Sequence, residues 1–302
     1  MSKDTPFHSS EAPVVIEAAI TPLRKGAPVQ EAQETIREAK ACLAAGAAII
    51  HHHHDFRQDR DSAIKEIIGV GKDILADYPS ARIYADKLRG EAIDAKFAHV
   101  QPMADAGVLR MFSLDPGLTV FARMDTHGLP SDSITGGTTY ADTNRLVEFA
   151  NRVDVPISLG VYEPGNLRWI YAYATAGKFP PGTIIKLYFG GEYMMGWDKQ
   201  PGVTFGMRPT KAALDMYLSM MEGIDLPWIV SVQGGALLDM PIARYALERG
   251  GHLRVGVEDP CGGTEMTNRE TVEAAIALAK RVGRPVAQGA EAIAVLAEPR
   301  AL

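Results

Sequence analysis

The sequence predicts an α/β protein in which eight βα units close into a (β/α)8 TIM barrel. Short β-branched runs alternate with longer helix-patterned stretches along all 302 residues, which is typical of a parallel sheet. No break in composition marks a linker, so residues 1–302 are expected to form one barrel domain with a short N-terminal extension. No G-x-G-x-x-G or P-loop motif follows any predicted strand, which favours a barrel over an open dinucleotide-binding sheet.

Each element follows from its local pattern. The β-branched runs predict strands at residues 13–19, 47–54, 81–86, 107–114, 155–162, 183–189, 228–232 and 252–258. Helical patterning predicts helices at residues 30–45, 61–76, 91–104, 141–152, 166–176, 210–221, 240–249 and 266–282. Residues 115–140 are rich in Gly, Thr, Ser and Asp and have no clear period. They are therefore predicted to form a functional loop or a mobile lid over a site.

Composition and charge exclude several classes of protein. The chain carries 31 Lys and Arg against 37 Asp and Glu, a net charge of −6, which argues against nucleic acid or an anionic membrane as the main partner. It contains no apolar run of about 18 residues, and its N-terminus lacks the pattern of a signal peptide. Two cysteines are too few for a disulfide scaffold. We therefore expect a cytoplasmic enzyme that acts on small molecules, and we expect it to be a homo-oligomer.

Four consecutive histidines, His51 to His54, end the second predicted strand. Side chains alternate across a strand, so His51 and His53 share one face while His52 and His54 share the other. Two imidazoles on the inner rim of a barrel can chelate one divalent cation, because neutral imidazole is a good ligand for zinc and its neighbours. The apolar residues that precede the run do not decide which pair points inward.

The last predicted strand supplies the acidic groups that such a site needs. Arg254 and Glu258 share a parity that places them on the inner face, so Glu258 is a candidate third metal ligand. Asp259 follows on the rim and is a candidate general base. Glu17 interrupts the apolar first strand, where an unpaired carboxylate would be costly, and it is expected to pair with Arg254. That pair is also consistent with a purely structural role.

Two further groups are candidates for substrate binding. Lys87 and Arg89 follow the third predicted strand and could bind a substrate carboxylate. Gly190 and Gly191 follow the sixth strand and could hold a phosphate or carboxylate with their backbone N–H groups. A simple tight turn explains the two glycines equally well.

These residues stand in segments that resemble the β-keto acid cleavage enzyme family. The segments are VVIEAA at residues 14–19, GAAIIHHH at 46–53 and GGHLRVGVED at 250–259, in the order in which the family has them. The resemblance implies a (β/α)8 barrel with a divalent metal, most often Zn²⁺, and conversion of a β-keto acid and acetyl-CoA into acetoacetate and a new acyl-CoA. It further implies His51, His53 and Glu258 as metal ligands, Asp259 as base, Arg254 as its support and Glu17 as a positioning residue.

The chain departs from the family pattern where substrates bind. Residues 84–90 read YADKLRG in place of a small Ser/Thr-Gly stretch, and residues 156–160 read PISLG where relatives carry a Pro-Glu pair. The metal-binding half of the family pattern is therefore retained, whereas the half that binds the substrates, including acetyl-CoA, is altered. Two alternatives stay open: a metal-dependent hydrolase of the amidohydrolase type, which also uses an H-x-H motif, and a non-catalytic metal-binding barrel.

Overall fold

A computed structural model describes residues 12–298 of the chain, so most of the predicted N-terminal extension lies outside the described residues. Along the described residues, the strands are β1 (Ile16–Ala19), β2 (Ile49–His52), β3 (Arg82–Ala85), β4 (Phe112–Leu114), β5 (Gly117–Met124), β6 (Pro130–Thr138), β7 (Ile157–Val161), β8 (Ile184–Gly190), β9 (Trp228–Gln233) and β10 (His252–Gly256). All eight predicted strands are present, as β1–β4 and β7–β10. The strands β5 and β6 are additional.

Eight strands form one parallel sheet in the order β3-β2-β1-β10-β9-β8-β7-β4. The strands at the two ends of this order, β3 and β4, lie next to each other. The Arg82 guanidinium joins them by donating a 3.2 Å hydrogen bond to the Arg110 carbonyl oxygen. The sheet is therefore a nearly closed barrel, and the predicted (β/α)8 fold is confirmed.

Helices cover the outside and the bottom of this barrel. They are α1 (Ala32–Ala45), α2 (Arg60–Asp77), α3 (Ile93–Lys96), α4 (Val100–Asp105), α5 (Tyr140–Val153), α6 (Pro164–Thr175), α7 (Lys211–Met220), α8 (Pro241–Glu248), α9 (Asn268–Val282) and α10 (Gly289–Ala297). The single helix predicted at residues 91–104 is two short helices, α3 and α4. Pro102 explains the break, because proline has no N–H to donate and fits only the first turn of a helix, where α4 places it.

The segment predicted as an irregular loop, residues 115–140, contains an antiparallel hairpin of β5 and β6. Its glycines obscured the strand pattern. Gly137 is paired with Leu118 at φ +88°, and a Cβ there would lie 2.1 Å from the Gly117 carbonyl oxygen, so only glycine fits this position. One face of β5 is buried through Thr119 and Phe121, while Leu118 on the other face is 60% exposed.

The barrel interior changes character from bottom to top. At the N-terminal ends of the strands the interior is apolar, and the unpredicted helix α10 packs into this layer; its members include Val15, Ile49, Ile184, Ile229, Ala292 and Leu296. One step up β1, β8 and β10, the inward residues are charged: Glu17, Lys186 and Arg254 are all fully buried. The histidines lie above them, at the C-terminal ends, where barrel enzymes place their active sites. Within residues 12–298, no helix has both the length and the apolar composition that a membrane crossing requires.

Candidate metal centre and active-site cavity

His51, His53 and Glu258 meet at the C-terminal end of the barrel. Their ligand atoms all lie within 4.8 Å of one another, and the three side chains are at most 7% exposed. The two Nε2 atoms are 3.1 Å apart, and Glu258 oxygens lie 3.3 Å from His51 Nε2 and 3.4 Å from His53 Nε2. The structure thus brings together the three residues that the sequence predicted as ligands. Of the two histidine pairs that the strand pattern left open, His51 and His53 are the pair whose Nε2 atoms lie near Glu258.

The spacing of these atoms fits a tetrahedral cation. Bonds of about 2.0–2.1 Å to a tetrahedral Zn²⁺ would hold ligand atoms about 3.3 Å apart, and the observed separations are 3.1–3.4 Å. Two neutral imidazoles would each present a lone pair at such a contact unless a proton or a cation lay between them. Glu258 Oε2 is buried and has no hydrogen-bond partner among the described residues. A cation would satisfy all three groups.

Neighbouring elements fix the position of each histidine. His51 lies in β2 and pairs in register with Tyr84 of β3. The centroids of their two rings are 4.6 Å apart. His53 follows the end of β2, and its backbone N–H donates a 3.0 Å hydrogen bond to the Thr21 hydroxyl after β1. Behind His53, the Asp86 carboxylate lies 3.4 Å from the second ring nitrogen, Nδ1. A carboxylate in that position orients a metal-binding histidine.

Gly256 allows Glu258 to reach the site. The predicted strand extended to residue 258, but β10 ends at Gly256, which has φ +120°. A Cβ at this residue would lie 2.1 Å from the Ala19 carbonyl oxygen, so a side chain cannot be accommodated. The chain then turns back, and Glu258 Oε1 comes within 2.6 Å of Arg254 Nη2. An extended strand would have separated the two residues by about 13 Å.

Arg254 is the centre of the buried charge network beneath the ligands. Besides Glu258, its guanidinium donates to Asp259 through Nε at 2.7 Å and Nη2 at 3.0 Å. Its Nη1 donates to Glu17 at 2.7 Å, as the sequence predicted. Opposing charges outweigh the effect of burial on the pKa of Glu17. Burial raises that pKa, but the cations of Lys186 and Arg254 lower it to about 2.

Two members of this network were not predicted from the sequence. Lys186 lies in the middle of the apolar strand β8, 2% exposed, and donates to Glu17 at 2.7 Å. Tyr84 donates a 2.5 Å hydrogen bond to the same carboxylate and also contacts Lys186. The sequence feature that could have revealed this charge network is a lysine inside an otherwise apolar strand. A buried charge needs a partner there, which is the argument that identified Glu17.

A cavity of about 1030 Å³ opens above the ligands, and its walls include both histidines, Glu258 and Arg254. Lys87 and Arg89 also line it, as expected for substrate-binding residues. The Lys87 ammonium is paired with the Asp115 carboxylate, while Arg89 lies over the Phe56 ring, with 5.8 Å between Cζ and the ring centroid.

The remaining candidates lie outside this cavity. Asp259 lines a smaller cavity behind Arg254, where it also accepts a hydrogen bond from the Ser231 hydroxyl. The N–H groups of Gly190 and Gly191 donate to the carbonyl oxygens of Met207 and Gln233, at 2.9 and 2.8 Å. Both N–H groups are therefore engaged within the protein and are not available for the anion binding that the sequence suggested. The two glycines instead allow close backbone packing, because a Cβ on either would lie 2.4–2.6 Å from a carbonyl oxygen.

Comparisons with known proteins give consistent results. A family model described as beta-keto acid cleavage enzyme matches residues 13–297. The chain is 25% identical over 272 residues to 3-keto-5-aminohexanoate cleavage enzyme of Acetoanaerobium sticklandii, covering 87% of this chain and 89% of that protein. A ternary complex of ObcA with a C4-CoA adduct and oxalate has a TM-score of 0.65 at 14% identity, covering 92% of this chain and 66% of that chain. Methylornithine synthase (PylB) has a TM-score of 0.55 at 11% identity, covering 94% and 86%. These two structures support the fold alone.

Proposed function

Because the chain belongs to the β-keto acid cleavage enzyme family, we propose that it converts a β-keto acid and acetyl-CoA into acetoacetate and a new acyl-CoA with the help of a divalent metal. The observation that carries this proposal is the convergence of His51, His53 and Glu258 at the floor of the large cavity. Two imidazoles and one carboxylate leave a coordination position open, as in catalytic zinc sites. Zn²⁺ is the ion we propose, since this donor set suits it.

The charges beneath the ligands support a divalent cation and an anionic substrate. Five charged side chains in this region are at most 6% exposed: the carboxylates of Glu17, Glu258 and Asp259 and the cations of Lys186 and Arg254. Their net charge is −1, so a divalent cation would leave the region at +1. A carboxylate substrate then brings a compensating charge. When bound, such an ion would supply Lewis-acid polarisation of the keto oxygen.

The proposed proton acceptor is Asp259. Its Oδ2 accepts from Arg254 Nε and from Ser231, whereas its Oδ1 accepts one 3.0 Å hydrogen bond and keeps a free lone pair. Arg254 lines both cavities and Asp259 lines only the smaller one, so the guanidinium has to shift for a substrate to reach Oδ1. Glu17 holds the far side of the guanidinium and thereby positions it.

The rim of the large cavity supports a polyanionic co-substrate such as acetyl-CoA. Lys25, Arg89 and Lys96 line the cavity and form no ion pair within the described part of the chain. Lys25 and Arg89 instead lie over the rings of Trp197 and Phe56, at 4.4 and 5.8 Å. Phosphate groups could bind these cations without breaking an existing ion pair to a carboxylate. Deeper in the cavity, we propose that Lys87 contributes to binding of the keto-acid carboxylate.

The proposal is tested by metal analysis followed by an activity assay. Protein stripped with a chelator and reloaded with Zn²⁺ is expected to produce acetoacetate from acetyl-CoA and at least one member of a β-keto acid panel. Zinc-loaded protein that produces none would favour the non-catalytic barrel. Amidohydrolases carry further histidines on the fifth and sixth strands of the barrel. The corresponding strands here, β7 and β8, contain none, so the structure gives this alternative no support.

Two variants separate the roles of adjacent carboxylates. Glu258→Gln is expected to lose metal, and full zinc content in this variant would contradict the ligand assignment. Asp259→Asn is expected to keep its metal, because it leaves the three ligands in place, and to lower kcat at least about 100-fold as expected for loss of a general base. Unchanged turnover in this variant would contradict the role of Asp259.

A further inference from the structure

One side of the large cavity is formed by aromatic rings. Phe121, Tyr162 and Tyr188 line the cavity, and Phe205 packs behind them; we call these four residues the aromatic wall. Tyr162 stacks on Tyr188 with 4.6 Å between ring centroids and an interplanar angle of 13°. Phe121, from the hairpin, meets Tyr162 edge-on at 5.2 Å. Three separate elements, β5, β8 and the end of β7, thus combine into one apolar surface.

The aromatic wall begins beside the metal centre. The Arg254 guanidinium carbon lies 5.7 Å from the centroid of the Tyr188 ring, and the same guanidinium contacts Glu258. From Tyr188 the rings continue through Tyr162 to Phe121 on the hairpin. A keto acid whose reacting carbons lie near the ligands can therefore extend its substituent along this surface.

The part of the cavity wall that borders the aromatic wall at Tyr162 has a different chemistry. Asp86, Lys87 and Asp115, which follow β3 and β4, line it with charged groups. Asp115 lies next to Tyr162, since a Cβ at Gly160 would lie 2.2 Å from Asp115 Oδ1 and 3.3 Å from Tyr162 Cε2. The cavity thus offers charged groups suited to a carboxylate next to an aromatic surface suited to an apolar group.

A charged substituent would be poorly accommodated on the aromatic wall. An anion would lose its water against the ring faces, and the two cations near Tyr188 are already paired with buried carboxylates. An ammonium group can bind tyrosine faces, but Tyr188 already lies near two cations, the Arg254 guanidinium at 5.7 Å and the Lys186 ammonium at 5.8 Å. A third cation would be repelled by both.

We infer that the substrate is a β-keto acid whose substituent on the keto carbon is uncharged and apolar, with an aromatic ring as the best fit. This inference rests on the proposed function and specifies its substrate class. The hairpin residue Phe121 is then a specificity-determining residue. It contacts the substituent and takes no part in the bond-making steps.

A substrate panel tests the inference on the unmodified, zinc-loaded protein. The panel comprises benzoylacetate, butyrylacetate, a β-keto acid with a terminal ammonium group and one with a terminal carboxylate, each with saturating acetyl-CoA. The two uncharged substrates are expected to have a kcat/KM at least about tenfold higher than either charged one. A charged substrate with the highest kcat/KM would overturn the inference while leaving the proposed function intact. Turnover of none of the four would contradict the proposed function itself.

Variants of the hairpin test the role of Phe121. Phe121→Ala is expected to raise the KM for benzoylacetate about tenfold, with a smaller effect on butyrylacetate and little change in kcat, because the ring is lost from binding alone. Leu118→Ala is the matched control, since Leu118 is three residues away on the exposed face of the same strand. Phe121→Leu removes the ring but keeps an apolar side chain that can hold the hairpin. It therefore controls for disruption of the hairpin in Phe121→Ala. Equal KM values for Phe121→Ala and Leu118→Ala would overturn the assignment.

Discussion

At the scale of single residues, Arg254 links the structural and the chemical parts of the site. One guanidinium contacts Glu17 below, Glu258 at the candidate metal centre and Asp259 behind, with hydrogen bonds of 2.6–3.0 Å. A planar group with five donors can make these four hydrogen bonds to three carboxylates at once, whereas a lysine ammonium has only three N–H donors. The orientation of the metal ligand and that of the proposed base therefore depend on the same side chain.

Asp86 offers a prediction that metal binding alone can test. Its backbone N–H donates to the His52 carbonyl oxygen at 3.0 Å, which fixes the residue beside β2, and its carboxylate lies 3.4 Å from His53 Nδ1. Asp86→Ala is expected to weaken Zn²⁺ binding about 10- to 100-fold, because His53 loses the group that orients its ring. The measurement is chelator competition, with the visible spectrum of the Co²⁺-loaded protein reporting ligand geometry.

The control for this prediction is Asp55→Asn. Asp55 lines the same cavity, but its carboxylate is held by Arg57 at 2.8–3.1 Å and does not face a ligand nitrogen. An equal loss of affinity in both variants would show that Asp86 acts only through its charge.

Lys186 is predicted to contribute to stability through Glu17. Replacing Lys186 with Met removes one cation from a carboxylate that is 0% exposed, and removal of one partner from a buried ion pair costs about 3–5 kcal/mol. Because Arg254 and Tyr84 still contact Glu17, we expect the lower end of this range for the free energy of unfolding, measured by urea denaturation. The double variant Glu17→Gln with Lys186→Met should recover part of the loss. A double variant less stable than Lys186→Met would contradict this account.

At the scale of elements, the turn after β10 delivers two site residues to their positions. Gly256→Ala is expected to lower metal content as well as stability, because the new Cβ would overlap the Ala19 carbonyl oxygen and displace Glu258. Gly165→Ala is the matched control: it lies in α6, and a Cβ there meets nothing within 4 Å. Metal content and thermal midpoint are measured for both. Full zinc content in Gly256→Ala would mean that Glu258 does not depend on this turn.

The repeating elements could be predicted from the sequence, whereas the departures from the repeat could not. Each barrel strand is a short apolar run, which predicts it without knowledge of its neighbours. The hairpin is different, because residues 130–138 are mostly exposed and include Gly136 and Gly137. Their strand conformation depends on pairing with β5. Helix α10 was missed because its buried residues Ala292 and Leu296 join an apolar layer with residues far away in the sequence, such as Ile49 and Ile184.

The site was predictable to the extent that its residues stand out in their strands. Glu17 and the histidine run interrupt apolar segments, so the sequence alone marks them. Glu258 was identified from strand parity, although the structure positions it through the turn at Gly256. Asp86 and Tyr162 follow strand ends, where polar residues are common, so only the three-dimensional arrangement distinguishes them.

At the scale of the whole molecule, the barrel separates stability from chemistry along its axis. The apolar layer sealed by α10 excludes water from below, and the charged layer of Glu17, Lys186 and Arg254 rests on it. Only the upper ends of the strands open to the large cavity. The charged groups therefore sit where the surrounding dielectric is low, which strengthens their interactions and makes any unpaired charge costly.

This arrangement predicts that metal loading stabilises the entire fold, because the ligands come from β2 and from the turn after β10, which lie on either side of β1 in the sheet. A ligand that binds only the folded state adds about 2.7 kcal/mol at 100 times its Kd. For a chain of this length, that is a rise in thermal midpoint of roughly 5 °C. Differential scanning calorimetry of stripped and Zn²⁺-loaded protein measures the shift, and Glu258→Gln should show little of it. A midpoint that does not change when Zn²⁺ is added to the unmodified protein would mean that the three ligands do not hold an ion in the folded state.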